Sequence, residues 1–156
     1  MKIIDLVSLN EVRRQIELAK KSSAKVAVIA KDEEFNRKIL ENKNVNCLIF
    51  KEFPKGKNSL KQRDSGLNHV LCKLANENQI VISFDFSGFF SMGDFDKSNF
   101  LSKLMQNIKL CKKYKVDILI LGIKSDKKDL FHFLLTLGAD TNMAKKAVED
   151  SFSFKQ

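Results

Sequence analysis

Short apolar runs alternate with stretches of helical periodicity along almost the whole chain. Lys2-Ile3-Ile4-Asp5-Leu6-Val7 reads as a strand, and the helix after it turns Leu9, Val12, Ile16 and Ala19 to one face. Ser8-Leu9-Asn10-Glu11 has the spacing of a capping box, in which hydroxyl and carboxylate satisfy each other's backbone amides. Val26 to Ala30 predicts a second buried strand, and Asp32 to Glu41 a helix with Phe35, Ile39 and Leu40 inward. A third strand is expected over Val45 to Phe50. The stretch Lys51 to Arg63 breaks the rhythm: it holds the proline, a glycine and the cations Lys51, Lys55, Lys57, Lys61 and Arg63 against Glu52. A connection of that length tends to carry function.

The alternation then resumes. Asp64 or Ser65 is expected to cap a helix bearing Leu67, Val70, Leu71 and Leu74, and Ile80 to Phe84 follows as a fourth strand. The loop from Asp85 to Asp96 leads to the longest helix, Lys97 to Tyr114, with Phe100, Leu101, Leu104, Met105, Ile108 and Cys111 on one face. Val116 to Leu121 predicts a fifth strand. A helix over Asp126 to Leu137 stops at Gly138, and Thr141 is expected to cap a last helix.

Five βα units with strands apolar throughout predict an α/β fold, a parallel sheet covered by helices. Regular repetition without a Gly-x-Gly-x-x-Gly turn favours a TIM-barrel-like arrangement over an open doubly wound sheet. A full barrel needs about 200 residues or more, however, and the chain has 156. The pattern alone leaves both arrangements open, and residues 1–156 are read as a single domain.

Composition changes this picture little: 44% of residues are hydrophobic and 30% charged, as in ordinary globular proteins. Charge changes it more. Lys and Arg number 28 against 19 acids, giving +9, and such an excess favours polyanions, nucleic acid first and anionic membrane second. A lysine-rich composition is also a mark of hot habitats. Cys47, Cys72 and Cys111 are scattered with no Cys-x-x-Cys pair, which predicts buried thiols in a reducing cytoplasm rather than disulfides or a zinc site. The strand-like opening does not read as a signal peptide, and no apolar run is long enough to span a bilayer.

Candidate chemistry is sparse. His69 and His132 fall in predicted helices of different units, so no metal centre is expected. Gly88 to Gly93 has the first spacing of a phosphate loop, but Asp94-Phe95 stands where Lys and Ser/Thr are required. Gly122-Ile123-Lys124-Ser125 lacks the leading glycine, although amides near Ser125 and Asp126 could meet a phosphate. Asp5 and Asp85 occupy strand ends, where a carboxylate serves equally as acid/base group or helix cap. Lys109, Lys112, Lys113 and Lys115 crowd a helix end where cations complement the dipole. Lys127 and Lys128 open a helix, where cations are unfavourable, and phosphate contacts would account for them.

The run Arg63-Asp64-Ser65-Gly66-Leu67-Asn68-His69-Val70-Leu71-Cys72-Lys73-Leu74-Ala75, then Glu77-Asn78 and the strand Ile80 to Phe84, resembles ribonuclease P protein component 3. The family pattern is Asp-x-Gly-Ile/Leu-x-His-Val-Leu-x-Lys-Leu before a strand. The likeness continues through Lys113-Tyr114-Lys115-Val116, Lys128-Asp129-Leu130, Leu137-Gly138 and Met143 to Ala147. It implies a TIM-barrel-like fold without the metal ligands of related phosphoesterases. It also implies a subunit role in maturing the 5′ end of precursor tRNA, with the RNA as catalyst.

By the same resemblance Arg63, Lys73, Lys113, Lys115 and Lys128 are candidate RNA contacts, and no residue is catalytic or binds metal. Asp64 is expected to cap the motif helix, Gly66 to allow close packing, His69 to be structural, and Asp129 to hold a basic neighbour or a helix amide. The chain is expected to bind no cofactor, magnesium serving the RNA. Its implied partners are ribonuclease P RNA, protein component 2 in a heterodimer or heterotetramer, and precursor tRNA indirectly, with no membrane and a cytoplasmic location. The chain departs from the family in its length, as if an N-terminal βα region were missing. It departs again at Leu121 to Ser125, where a small-residue turn is expected. The alternatives are a metal-dependent phosphoesterase-like barrel acting alone, with Asp5, Asp85 and a histidine, and a protein that binds polyanions by charge alone.

Overall fold

The computed structural model describes residues 1–54 and 64–153. Its elements run β1 (Lys2–Ile4), α1 (Leu9–Lys21), β2 (Val26–Ile29), α2 (Glu33–Leu40), β3 (Cys47–Phe50), α3 (His69–Glu77), β4 (Val81–Asp85), α4 (Asp94–Lys113), β5 (Ile118–Leu121), α5 (Lys127–Thr136) and α6 (Thr141–Ser153). A single 3-10 turn, Phe89–Ser91, precedes α4. The five strands form one parallel sheet in the order β1-β2-β3-β4-β5. Helices α1 to α4 each return the chain to the next strand in line, which is the βα repeat of a TIM barrel, and α5 and α6 follow the last strand. Among the described residues the sheet is open, with β1 and β5 as its two edges.

Strand register explains why the strands are apolar on both faces. Ile4, Val28, Leu48, Ile82 and Ile118 stand in one row across the sheet and are buried with the apolar faces of the helices. The other face carries the rows Ile3, Ala27, Cys47, Val81 and Ile29, Ile49, Ser83, Leu119. Ala27, Ile29, Cys47 and Ile49 make a separate small cluster there. The phenylalanines concentrate on the helix side, where Phe50, Phe53, Phe84, Phe86, Phe89 and Phe100 pack ring on ring at 4.8 to 6.2 Å. Aromatic pairs at such distances add to the stabilisation from buried area.

The expected order of elements is the observed one, but several ends differ. β1 stops at Ile4 instead of reaching Val7. α4 begins at Asp94, three residues before the expected Lys97, because Asp94 and Asp96 suit a helix's positive first turn. The Ser8 hydroxyl makes no capping hydrogen bond, so the expected capping box is not formed. Asp64 and Ser65 do not cap the motif helix. Asn68 does, its Oδ1 accepting the amides of Val70 and Leu71 at 3.0 Å. Thr141 is likewise displaced as cap by Asp140, which accepts from Met143 N–H at 2.9 Å.

Candidate nucleic-acid interface

In a parallel sheet all βα loops gather at the strands' C-terminal end and all αβ loops at the other. That rule sorts the basic residues into two groups. Lys113 ends α4 and Lys115 follows it, so both lie where the strands begin. Lys128 sits exposed in the first turn of α5, at the opposite end. Lys73 is exposed midway along α3, between buried Cys72 and half-buried Leu74. Arg63 lies outside the described residues. The candidate RNA contacts therefore do not converge on one site.

Local geometry gives several of these residues a structural partner. Lys113 Nζ lies 5.6 Å from the centre of the Tyr114 ring, and Lys127 Nζ 5.6 Å from that of Phe152. The second contact supplies a reason for Lys127 at a helix start that phosphate binding was expected to supply. Lys115 takes a left-handed backbone with φ of 55° in the tight turn from α4 to β5. His69 is the exposed first residue of α3.

Asp64 closes a local turn through Gly66 N–H at 3.4 Å. Gly66 has φ of 76°, and a Cβ there would meet Phe50 Cε1 at 2.9 Å and Pro54 Cδ at 3.2 Å. Asp129 was expected to hold an amide or a basic neighbour. The relation is reversed: Asp126 caps α5 and accepts the Asp129 amide at 2.8 Å. A carboxylate already fills the position where Ser125 and Asp126 were expected to leave amides for a phosphate.

The strands' C-terminal end holds a charge cluster that the sequence does not bring together. Asp5 follows β1, Lys31 follows β2 and Lys51 follows β3. Lys31 Nζ donates to Asp5 Oδ1 at 2.7 Å, and Lys51 Nζ stands 3.6 Å from Asp5 Oδ2. The Lys31 hydrogen bond, helped by the charge of both lysines, holds the Asp5 carboxyl below its ordinary range. Asp85 is engaged differently, its Oδ1 accepting the Ser87 amide at 2.9 Å and hydroxyl at 2.6 Å. Both carboxylates weighed as acid/base groups are thus committed to neighbours. Among the described residues, no three His, Cys, Asp or Glu side chains gather as they would around a metal ion.

Two large aromatic rings are also exposed at this end, Phe95 at 79% and Phe90 at 63%, the latter edge-on to Phe89 at 5.5 Å. Neither stood out in the sequence, where a phenylalanine reads as core. At the opposite end a cavity of about 500 Å³ opens between the strand starts and the end of α6, lined by Met1, Lys25, Asn46, Gln79, Asp150 and neighbours. None of the described helices is long and apolar enough to cross a membrane.

No family model matches the sequence. Curated proteins do. The chain is 29% identical over 147 residues to Ribonuclease P protein component 3 of Methanococcus maripaludis, covering 90% of this chain and 60% of that protein. The component 3 of Methanococcoides burtonii is 38% identical over 95 residues, or 61% of this chain and 36% of that one. The chain thus spans about 60% of the length of the first of these relatives. Among solved structures, one chain of archaeal ribonuclease P, determined with mature tRNA, superposes with a TM-score of 0.78 at 24% identity. That match covers 97% of this chain and 64% of the other. An uncharacterised protein gives 0.63 at 8% identity, covering 94% of this chain and 38% of the other. Both structural matches concern the fold.

Proposed function

We propose that this chain, a relative of ribonuclease P protein component 3, is a protein subunit of ribonuclease P. It supports RNA-catalysed removal of the 5′ leader from precursor tRNA and performs no chemistry itself. The observation that carries this reading is the match to proteins of that name over nine-tenths of the chain. The open TIM-barrel-like sheet and the +9 charge agree with it. Magnesium serves the RNA, and the chain itself holds no cofactor.

In this reading the chain binds ribonuclease P RNA together with protein component 2, as a heterodimer or heterotetramer, and meets precursor tRNA only within the particle. The particle works in the cytoplasm. Lys73, Lys113, Lys115 and Lys128 are separate backbone contacts, because a long RNA can touch both ends of the sheet while a short one cannot. The test is reconstitution: cleavage of precursor tRNA by the cognate RNA at low magnesium, with component 2, with and without this chain. A large gain that needs both proteins supports the reading. No gain in an otherwise active mixture overturns it.

A further inference from the structure

We propose that Lys31 and Lys51, gathered around Asp5 at the C-terminal mouth of the sheet, bind a backbone phosphate of a single RNA strand. This inference rests on the subunit reading and places one of its RNA contacts.

Two ammonium groups share one carboxylate, so the cluster keeps a surplus positive charge. Lys31 is tightly paired, with its side chain 29% exposed. Lys51 is not: at 3.6 Å its ammonium lies beyond hydrogen-bond length from Asp5, with its side chain 49% exposed and donors left for another acceptor. The site is also held in place. The buried side chain of Asn36 accepts the Lys31 amide at 2.8 Å and donates to the Lys31 carbonyl at 3.1 Å, fixing the backbone that carries the ammonium. Lys51 follows directly on β3, whose Ile49 pairs with Ile29 near the end of β2.

Helix dipoles sharpen the argument. Lysines where the helices end, such as Lys20, Lys21, Lys112 and Lys113, complement the negative C-terminal dipoles and need no ligand. Lys31 and Lys51 stand at the end where the helices begin, in a field that repels cations and attracts anions. Asp5 compensates one of them, and an anion would compensate the other. The exposed rings of Phe90 and Phe95 lie at this same end. Unpaired bases stack on such rings, which argues for a single strand over a duplex.

The test is binding of a labelled, unstructured 12-nucleotide RNA to the full chain, followed by anisotropy across a potassium chloride series. The double variant Lys31→Ala, Lys51→Ala is expected to lower the slope of log affinity against log salt by about 0.7, the value for one phosphate on a single strand. Lys20→Ala, Lys21→Ala, at the other end, is expected to leave the slope unchanged. Asp5→Asn removes the competing carboxylate and is expected to tighten binding. An unchanged slope in the first variant, with its far-ultraviolet circular dichroism intact, overturns the inference. So does the absence of salt-dependent binding by the unaltered chain. Displacement of the strand by inorganic phosphate at low millimolar concentration and matched ionic strength would mark an ion site and overturn the strand assignment. None of these results touches the subunit reading, which fails only if the unaltered chain gives no gain in the reconstituted cleavage assay.

Discussion

The hydroxyl of Ser151 in α6 accepts the backbone N–H of Ile120 in β5 at 2.9 Å and donates to the Ala147 carbonyl at 2.6 Å. Ile120 belongs to an edge strand, where an amide would otherwise face outward for another strand to pair with. Helix α6 covers that edge with a side chain in place of a strand, and both partners are buried. Ser151→Ala leaves the Ile120 donor buried and unsatisfied, at a cost of about 1 to 3 kcal/mol. Urea unfolding measures it. A change below about 0.5 kcal/mol would mean that water replaces the hydroxyl and that α6 does not seal the edge.

Gly122 occupies the tightest backbone position at the mouth. Its φ is 72°, and a Cβ would collide with the Ser87 amide nitrogen and meet Asp85 Oδ1 at 2.6 Å. Those atoms belong to the turn after β4 that Asp85 itself closes, so a methyl group pushes two loops apart. Gly122→Ala is expected to cost more than the ~1 kcal/mol of left-handed strain alone. Gly88→Ala meets nothing within 4 Å and has φ of −87°. It is expected to be neutral or stabilising by about 0.4 to 1 kcal/mol through the unfolded chain. Thermal melts of the two variants check the contrast, and equal losses would refute the close approach.

The strands and helices were legible because each carries its own period, but the helix caps were not. A Ser, Thr, Asp or Asn near a helix start satisfies the same sequence rule, and tertiary contacts choose among them. Asn68 reaches Glu33 Oε1 at 2.6 Å, while Ser65 is drawn aside by Gln106 and Asn107 of α4, each at 2.9 Å. With Ser65 held away, Asn68 is left to cap α3. The mouth cluster was hidden for another reason. Asp5, Lys31 and Lys51 are distant in the sequence and meet only because β1, β2 and β3 are spatial neighbours in chain order. Charged residues directly after successive strands are the signal that could have found them. The five motif cations lacked that signal, and the fold spreads the described ones over two ends and a helix side.

The thiols should be silent in the native protein. Cys47, Cys72 and Cys111 are free and buried, and burial pushes the Cys47 thiol up to about 12. The thiolate is the reactive form. The hydrogen bond between Cys72 and Cys111 lowers the first thiol and raises the second. All three are buried, however, so labelling with a chromogenic disulfide at pH 8 is expected to proceed only as fast as the protein opens and to become immediate in denaturant. Fast labelling of any cysteine without denaturant would contradict the packing around it.

Two surface pairs set opposite pH limits. Asp5 is held below its ordinary carboxylate range by the Lys31 hydrogen bond. A depressed acid contributes stability that is present above its unfolded value of 3.8 and lost as pH falls through its lower folded value. Lys146 is raised above 10.5 by its hydrogen bond to Asp117 Oδ2 at 2.6 Å. Its contribution is complete below 10.5 and is lost as pH rises through the higher folded value. The stability difference between the unaltered chain and Asp5→Asn should therefore shrink on acidification below about pH 4, a window set by the unperturbed aspartate. The difference from Lys146→Met should shrink on the alkaline side. Both pairs are exposed, so 1 M salt, with its Debye length of about 3 Å, should flatten both differences. A Lys146→Met difference that persists unchanged at strongly alkaline pH would contradict the contribution of the Lys146 hydrogen bond to Asp117.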